Sequence, residues 1–158
     1  MSNELKIKVG CTTELKVQTK VMEEGFMVSV PYGDCSRYDQ IWDINGRLLK
    51  VQVKHACEVY DADGPFGFKI PGCSSSGFTQ KIVDGITKLF IKKPYTTEEI
   101  DGIATVYNDK CYFIPIDQIR TDTHSIFIDK EERRGRLYKA KNADRFEFNK
   151  YFNLQEKK

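Results

Sequence analysis

Soft metal ligands are scarce in this sequence. It holds two histidines, His55 and His124, and five cysteines, with no C-x-x-C pair among them. Neither histidine sits at ligand spacing with a cysteine, which argues against a structural zinc site. The cysteine count is odd, and Cys11, Cys35, Cys57, Cys73 and Cys111 are scattered along the chain. The opening MSNELKIKVG is too polar for the apolar core of a leader peptide. Together these features predict free thiols in a reducing, cytoplasmic setting. No apolar run approaches the ~18 residues that a bilayer-spanning helix needs. Glycine-rich phosphate loops, G-x-S-x-G and H-E-x-x-H are missing too, and with them the templates they mark. Internal repeats are absent. Net charge is also small: 25 basic against 23 acidic residues leave +2. Whole-chain charge therefore predicts no polyanion partner, and only a local cluster can.

What is present is a strong hairpin signal in YDQIWDINGRLLKVQVK, residues 38–54. Asn45-Gly46 suits the two positive-φ positions of a type I′ turn. With that loop, Ile44 faces Arg47, Trp42 faces Leu49, Gln40 faces Val51 and Asp39 faces Gln52. Side chains alternate along a strand. One face then carries Trp42, Ile44, Leu49, Val51 and Val53. The other carries Asp39, Asp43, Lys50, Gln52 and Lys54, with Ile41 and Leu48 among them. Asp39 and Gln52 form a cross-strand pair, with Lys54 one diagonal step away. A solvated outer sheet face would also produce this alternation.

Upstream, TTELKVQTKVMEEG reads as an amphipathic helix. Thr12 or Thr13 is the expected cap, and Gly25 the left-handed stop. Glu14 falls in the first turn of that helix, where a carboxylate suits the dipole. FMVSVPYGD follows as a short strand, stopped by Pro31, and a turn.

These residues resemble the PD-(D/E)XK nuclease superfamily. The spaced GCTTEL, GFMVSVPYGD and RYDQIWDINGRLLKVQVK look most like its group-I-intron-associated endonucleases, whose third strand often reads QVK. The resemblance covers about residues 10–57, continues loosely through EEIDGIATVYNDKCYFIPIDQI, and then fades. It implies a restriction-endonuclease-like α/β domain in the order α-β-β-β-α-β, with a central mixed sheet flanked by helices. It also implies metal-dependent hydrolysis of duplex DNA, of homing type. By the resemblance, Asp39 is the metal-binding acid, Gln52 stands for the second acid, Lys54 is the catalytic lysine and Glu14 is the helix carboxylate that assists. Two departures stand out. Tyr38 occupies the position of the name-giving proline, and Gln52 replaces a carboxylate.

The chemistry of those side chains agrees. Mg²⁺, or Mn²⁺ in its place, takes hard oxygen ligands through one or two carboxylates and keeps several waters. Asp39 can supply one ligand and the Val53 backbone carbonyl another. The Gln52 amide oxygen can coordinate weakly or orient a water. Lys54 can position or deprotonate the attacking water, or stabilise charge developing on the phosphate. Glu14 can add a second carboxylate. His55 should point away from Lys54, which makes it a packed or partly exposed structural residue.

Length fits a single domain, residues 1–158, with 120–158 as a candidate DNA-contact or oligomerisation extension. KEERRGRLYKAK, residues 130–141, contains Arg133, Arg134 and Arg136 and can meet a DNA backbone. Ser74 and Ser75, in a Gly/Ser-rich stretch, can donate to phosphate oxygens. A solvated strand or loop is the alternative for the basic segment, and a plain surface turn is the simpler reading of the serines. Thr96 and Glu99 form a candidate capping box opening a short helix. GIATVY and CYFIPI read as a second hairpin about Asn108-Asp109-Lys110, with Pro115 at an edge. NADRFEFNKYFN reads as a closing helix. The resemblance to homing enzymes implies a long recognition site, which exceeds the contact area of one small domain and predicts a homo-oligomer, a dimer or tetramer. Competing readings are a non-cutting DNA-binding protein on the same fold and a junction resolvase or restriction-type enzyme.

Overall fold

The hairpin at Asn45-Gly46 organises the central sheet. The structure is a computed structural model, and it describes residues 2–33, 35–62, 64–74, 81–83, 87–89, 93–119, 123–128 and 143–155. Asn45 and Gly46 have φ of 54° and 83°, as a type I′ turn demands, and the Asp43 carboxylate accepts the Gly46 N–H at 2.7 Å. Strand β2 (Gln40–Ile44) pairs antiparallel with β3 (Arg47–Val53) in the expected register, Ile44 to Arg47, Trp42 to Leu49 and Gln40 to Val51. Strand β1 (Met27–Ser29) lies along the outer side of β2.

Helix α1 spans Asn3–Glu23 and begins ten residues before the expected cap, with Ser2 capping it through the Leu5 N–H at 3.3 Å. Thr13 and Thr19 do not break it. Their hydroxyls donate back to the Val9 and Leu15 carbonyls at 2.8 and 2.9 Å, which satisfies them inside the helix. Glu14 is therefore mid-helix, and the first-turn carboxylate is Glu4. The helix ends as expected, with Gly25 at φ +87° and its N–H on the Met22 carbonyl.

After β3 the chain makes β4 (Cys57–Asp61), β5 (Gly64–Pro71), β6 (Cys73–Ser74), β7 (Lys81–Val83), β8 (Thr87–Leu89) and β9 (Lys93–Pro94). It returns in β10 (Gly102–Tyr107), parallel to β3, and turns back in β11 (Lys110–Pro115). Asn108 and Asp109 both have positive φ in this second hairpin. Strand β12 (Thr123–Phe127) and helix α2 (Phe148–Gln155) follow. The main sheet is mixed, in the order β1-β2-β3-β10-β11, and a three-stranded sheet runs β12-β5-β4. The class is α/β.

The helix expected at Thr96 is a single turn. Glu99 does reach back to the Thr96 N–H at 3.2 Å, and Ile100 N–H closes on the Thr96 carbonyl. The chain then enters β10 at Gly102, where any Cβ would stand 2.5 Å from the Phe113 ring and 2.7 Å from the Ile114 carbonyl. Strands β4 and β5 belong to the β3–β10 crossover, where the expectation had a helix.

Two cores sit on the two faces of the main sheet. Val17 and Val21 of α1 and Phe148 and Phe152 of α2 pack on Trp42, Leu49, Val51 and Val53. Phe68 and Ile70 of β5, Ile126 of β12, Tyr95 and Phe146 join Ile103 and Ile114 in the second core. Each fully buried large side chain of this kind contributes about 1.5–3 kcal/mol. Ala143, Phe146, Phe148 and Phe152 are thus part of the fold's interior.

Candidate functional site

Asp39 sits one residue before β2, at the end of the sheet away from the Asn45-Gly46 turn. Its N–H donates to the Val51 carbonyl at 2.9 Å. Its carboxylate takes the place of a strand partner, accepting the Val53 N–H at 2.8 Å and a hydrogen from the Gln52 amide nitrogen. The same amide nitrogen lies 3.3 Å from the Val53 carbonyl oxygen. Asp39, Gln52 and the Val53 carbonyl therefore converge on one point. Lys54 follows, held by its N–H on the Ala104 carbonyl at 3.0 Å.

This end of the face is not a solvated outer surface. Gln52 is 7 % exposed and Asp39 is half-buried. The second core covers their face of the sheet, and Tyr38 packs against it. Burial pushes the Asp39 carboxyl above its ordinary value, against the opposing pull of the Val53 N–H, the Lys54 charge and the Gln52 hydrogen bond.

Glu14 belongs to a helix on the face of the sheet opposite that of Asp39 and Gln52. Helix α1 packs on the Trp42 face, opposite the second core. The Glu14 turn is tied to β2 through its backbone carbonyl, which accepts the Gln40 side-chain N–H at 2.9 Å. One residue earlier, the Thr13 hydroxyl is 3.3 Å from the exposed His55 ring. The helix thus meets the same end of the sheet where Asp39 and Lys54 stand.

The donor set fits a hard divalent cation held partly by solvent: the Asp39 carboxylate and the Val53 carbonyl supply oxygen, and the Gln52 amide, which presents its nitrogen here, supplies oxygen once turned over. An N–H donor already bridges the Asp39 carboxylate and the Val53 carbonyl, so both oxygens face a position that favours positive charge. No cluster of three or more His, Cys, Asp or Glu occurs among the described residues. Any ion here would therefore rest on mixed ligands.

A PD-(D/E)XK endonuclease family profile matches residues 6–149. The chain belongs to the PD-(D/E)XK endonuclease family. Its fold is also similar to that of a bacterial homing endonuclease, I-Ssp6803I, with a TM-score of 0.68 over 99 % of this chain and 96 % of that one. The two are 18 % identical, so the likeness is one of fold, and this chain's fold is restriction-endonuclease-like. Among curated proteins no match is found.

In this PD-(D/E)XK chain three supporting residues escaped the sequence reading. Gln40 is 1 % exposed and accepts the Trp42 indole N–H at 2.9 Å while donating to Glu14. A signal existed, since an amide at a core-facing register position is out of pattern. Tyr95 and Arg37 had none: the Lys54 ammonium lies 5.4 Å and the Arg37 guanidinium 4.5 Å from the centre of the Tyr95 ring. Among the proposed DNA contacts, Ser74 ends β6 opposite Lys93. Ser75, Arg133, Arg134 and Arg136 lie outside the described residues. No helix among the described residues is long and apolar enough to cross a membrane.

Proposed function

We propose that this PD-(D/E)XK protein is a metal-dependent endonuclease that hydrolyses phosphodiester bonds in double-stranded DNA, acting at specific sites as homing-type enzymes do. The observation that carries the reading is the convergence of Asp39, the Gln52 amide and the Val53 carbonyl beside Lys54, in a family of endonucleases. Asp39 and the Val53 carbonyl would hold Mg²⁺, or Mn²⁺ in its place, with Gln52 turning its amide oxygen toward the ion. Such an ion supplies Lewis-acid polarisation of the phosphate and a more acidic attacking water.

The chain's own groups do the rest. Lys54 lies next to the ligand carbonyl, where its ammonium meets negative charge growing on the phosphate or orients the attacking water. The Val53 N–H fixes the Asp39 carboxylate in one rotamer. Glu14 supplies a second carboxylate at the sheet end, beyond the Gln40 link. Partial burial limits solvent around Asp39 and strengthens its attraction for a cation. Residues 130–141 and the segment at Ser74-Ser75 are the proposed DNA-backbone contacts. A homo-oligomer, dimer or tetramer, is the proposed assembly, because a long site needs more surface than one such domain offers.

The test is incubation of supercoiled plasmid with purified protein and Mg²⁺, with and without chelator, beside Asp39→Ala. Metal-dependent nicking or linearisation by wild type, and none by the variant, is expected. Tight DNA binding without cutting in either Mg²⁺ or Mn²⁺ would replace this reading with a non-cutting DNA-binding protein.

A further inference from the structure

We infer that Tyr95 is the positioning residue for Lys54: its ring face carries the lysine ammonium, and a clamp of Arg37, Glu99 and Lys93 holds the ring. The inference rests on the nuclease reading and names a residue that reading does not use. Lysine reaches its target on four rotatable bonds, so an ammonium without a fixed neighbour samples many positions. Here the Lys54 Nζ is 5.4 Å from the Tyr95 ring centre, within range of cation–π attraction. The Tyr95 side chain is 8 % exposed and belongs to the second core, so the ring itself has little freedom.

Its main chain is tied on both sides. Arg37 donates to the Pro94 carbonyl at 3.1 Å and to the Lys93 carbonyl at 3.4 Å. Glu99 accepts the Thr96 N–H at 3.2 Å. Arg37 and Glu99 pair at 3.3 Å, and Lys93 joins Glu99 at 2.7 Å, which closes the loop around Tyr95. The Lys93 ammonium, with Arg37, holds the Glu99 carboxyl below its ordinary value, as an ion-paired acid should be. Arg37 also places its guanidinium 4.5 Å from the ring centre. Arg37 is two residues before Asp39, and Lys54 is two after Gln52. One aromatic ring therefore joins the two chain segments that bring in the acid and the lysine.

The attraction is to the ring face, so the hydroxyl is dispensable. Tyr95→Phe should cut within about 2-fold of wild type. Tyr95→Leu should lower kcat by roughly 10- to 100-fold with little change in KM for DNA, the scale on which a misplaced catalytic group acts. A second arm does not depend on cutting. With ¹³C-labelled lysine, the Lys54 ε-methylene should show an upfield ring-current shift in wild type and Tyr95→Phe, lost in Tyr95→Leu. If Tyr95→Leu does not fold, Arg37→Met loosens the clamp and should lower kcat several-fold, again with KM unchanged. Lys54→Ala is measured in parallel. Wild type that never cuts overturns the nuclease reading, and the inference with it. If wild type cuts and Lys54→Ala does not, wild-type rates in both Tyr95→Leu and Arg37→Met overturn the inference alone. So does a Tyr95→Phe variant as slow as Tyr95→Leu, or a Lys54 ε-methylene with no ring-current shift.

Discussion

Gln40→Leu separates the frame of the site from its chemistry. Gln40 is 1 % exposed, and its two side-chain hydrogen bonds, to the Trp42 indole and the Glu14 carbonyl, are both 2.9 Å. Leucine fills similar space but removes both. The indole N–H of Trp42, itself 0 % exposed, is left without an acceptor, a cost of about 1–3 kcal/mol. The link to Glu14 adds about 1 kcal/mol, and removing a buried amide returns a similar amount. The expected net loss is about 1–3 kcal/mol. For a chain of this size that lowers Tm by roughly 2–12 °C. The assay is urea unfolding followed by far-ultraviolet circular dichroism, run as a double-mutant cycle with Trp42→Phe. Phenylalanine has no N–H to satisfy, so Gln40→Leu should cost about 1–2 kcal/mol less in that background. A Gln40→Leu protein within about 0.5 kcal/mol of wild type, or additive with Trp42→Phe, would refute the bridge as a structural tie.

Asp39 gives a pH prediction. Burial raises its folded pKa above the unfolded value, so ionising it opposes folding, and that penalty is present above the folded pKa and gone below the unfolded one. In chelator, Asp39→Asn should therefore melt higher than wild type at neutral pH, with the gap closing as pH falls below the carboxylate range. An unchanged gap across that range would show that Asp39 is not desolvated. At Gln52, 7 % exposed, Gln52→Glu sets a second carboxylate against Asp39 and should be stabilised by Mg²⁺ more than wild type is, in paired thermal melts. Gln52→Leu should lose cleavage; full-rate cutting at every Mg²⁺ concentration would remove Gln52 from the site. Thiol titration should find Cys11, Cys35 and Cys57 reactive in the folded protein and all five only after denaturation. Burial pushes the Cys111 thiol up to about 12, so a fast fourth thiol would contradict its packing.

The hairpin and the identity of its polar residues were legible because they are local. Two positive-φ positions fix the loop, and a period of two assigns every side chain to a face. The second hairpin at Asn108-Asp109 follows the same rule. Helix α1 was legible in its end and not its start, because Thr12 and Thr13 read as caps, and Thr13 is satisfied inside the helix through a carbonyl bond that sequence does not reveal. What covers the Asp39 face was beyond the sequence. Its second core comes from β5, β12, Tyr95 and Phe146, up to about a hundred residues away along the chain. That cover turns Gln52 from an expected surface residue into a buried one and raises the Asp39 pKa. It also sets Tyr95 beside Lys54. Alternation names the two faces of a strand, but only long-range packing decides which face water reaches, and burial is what tunes a carboxylate and immobilises a lysine.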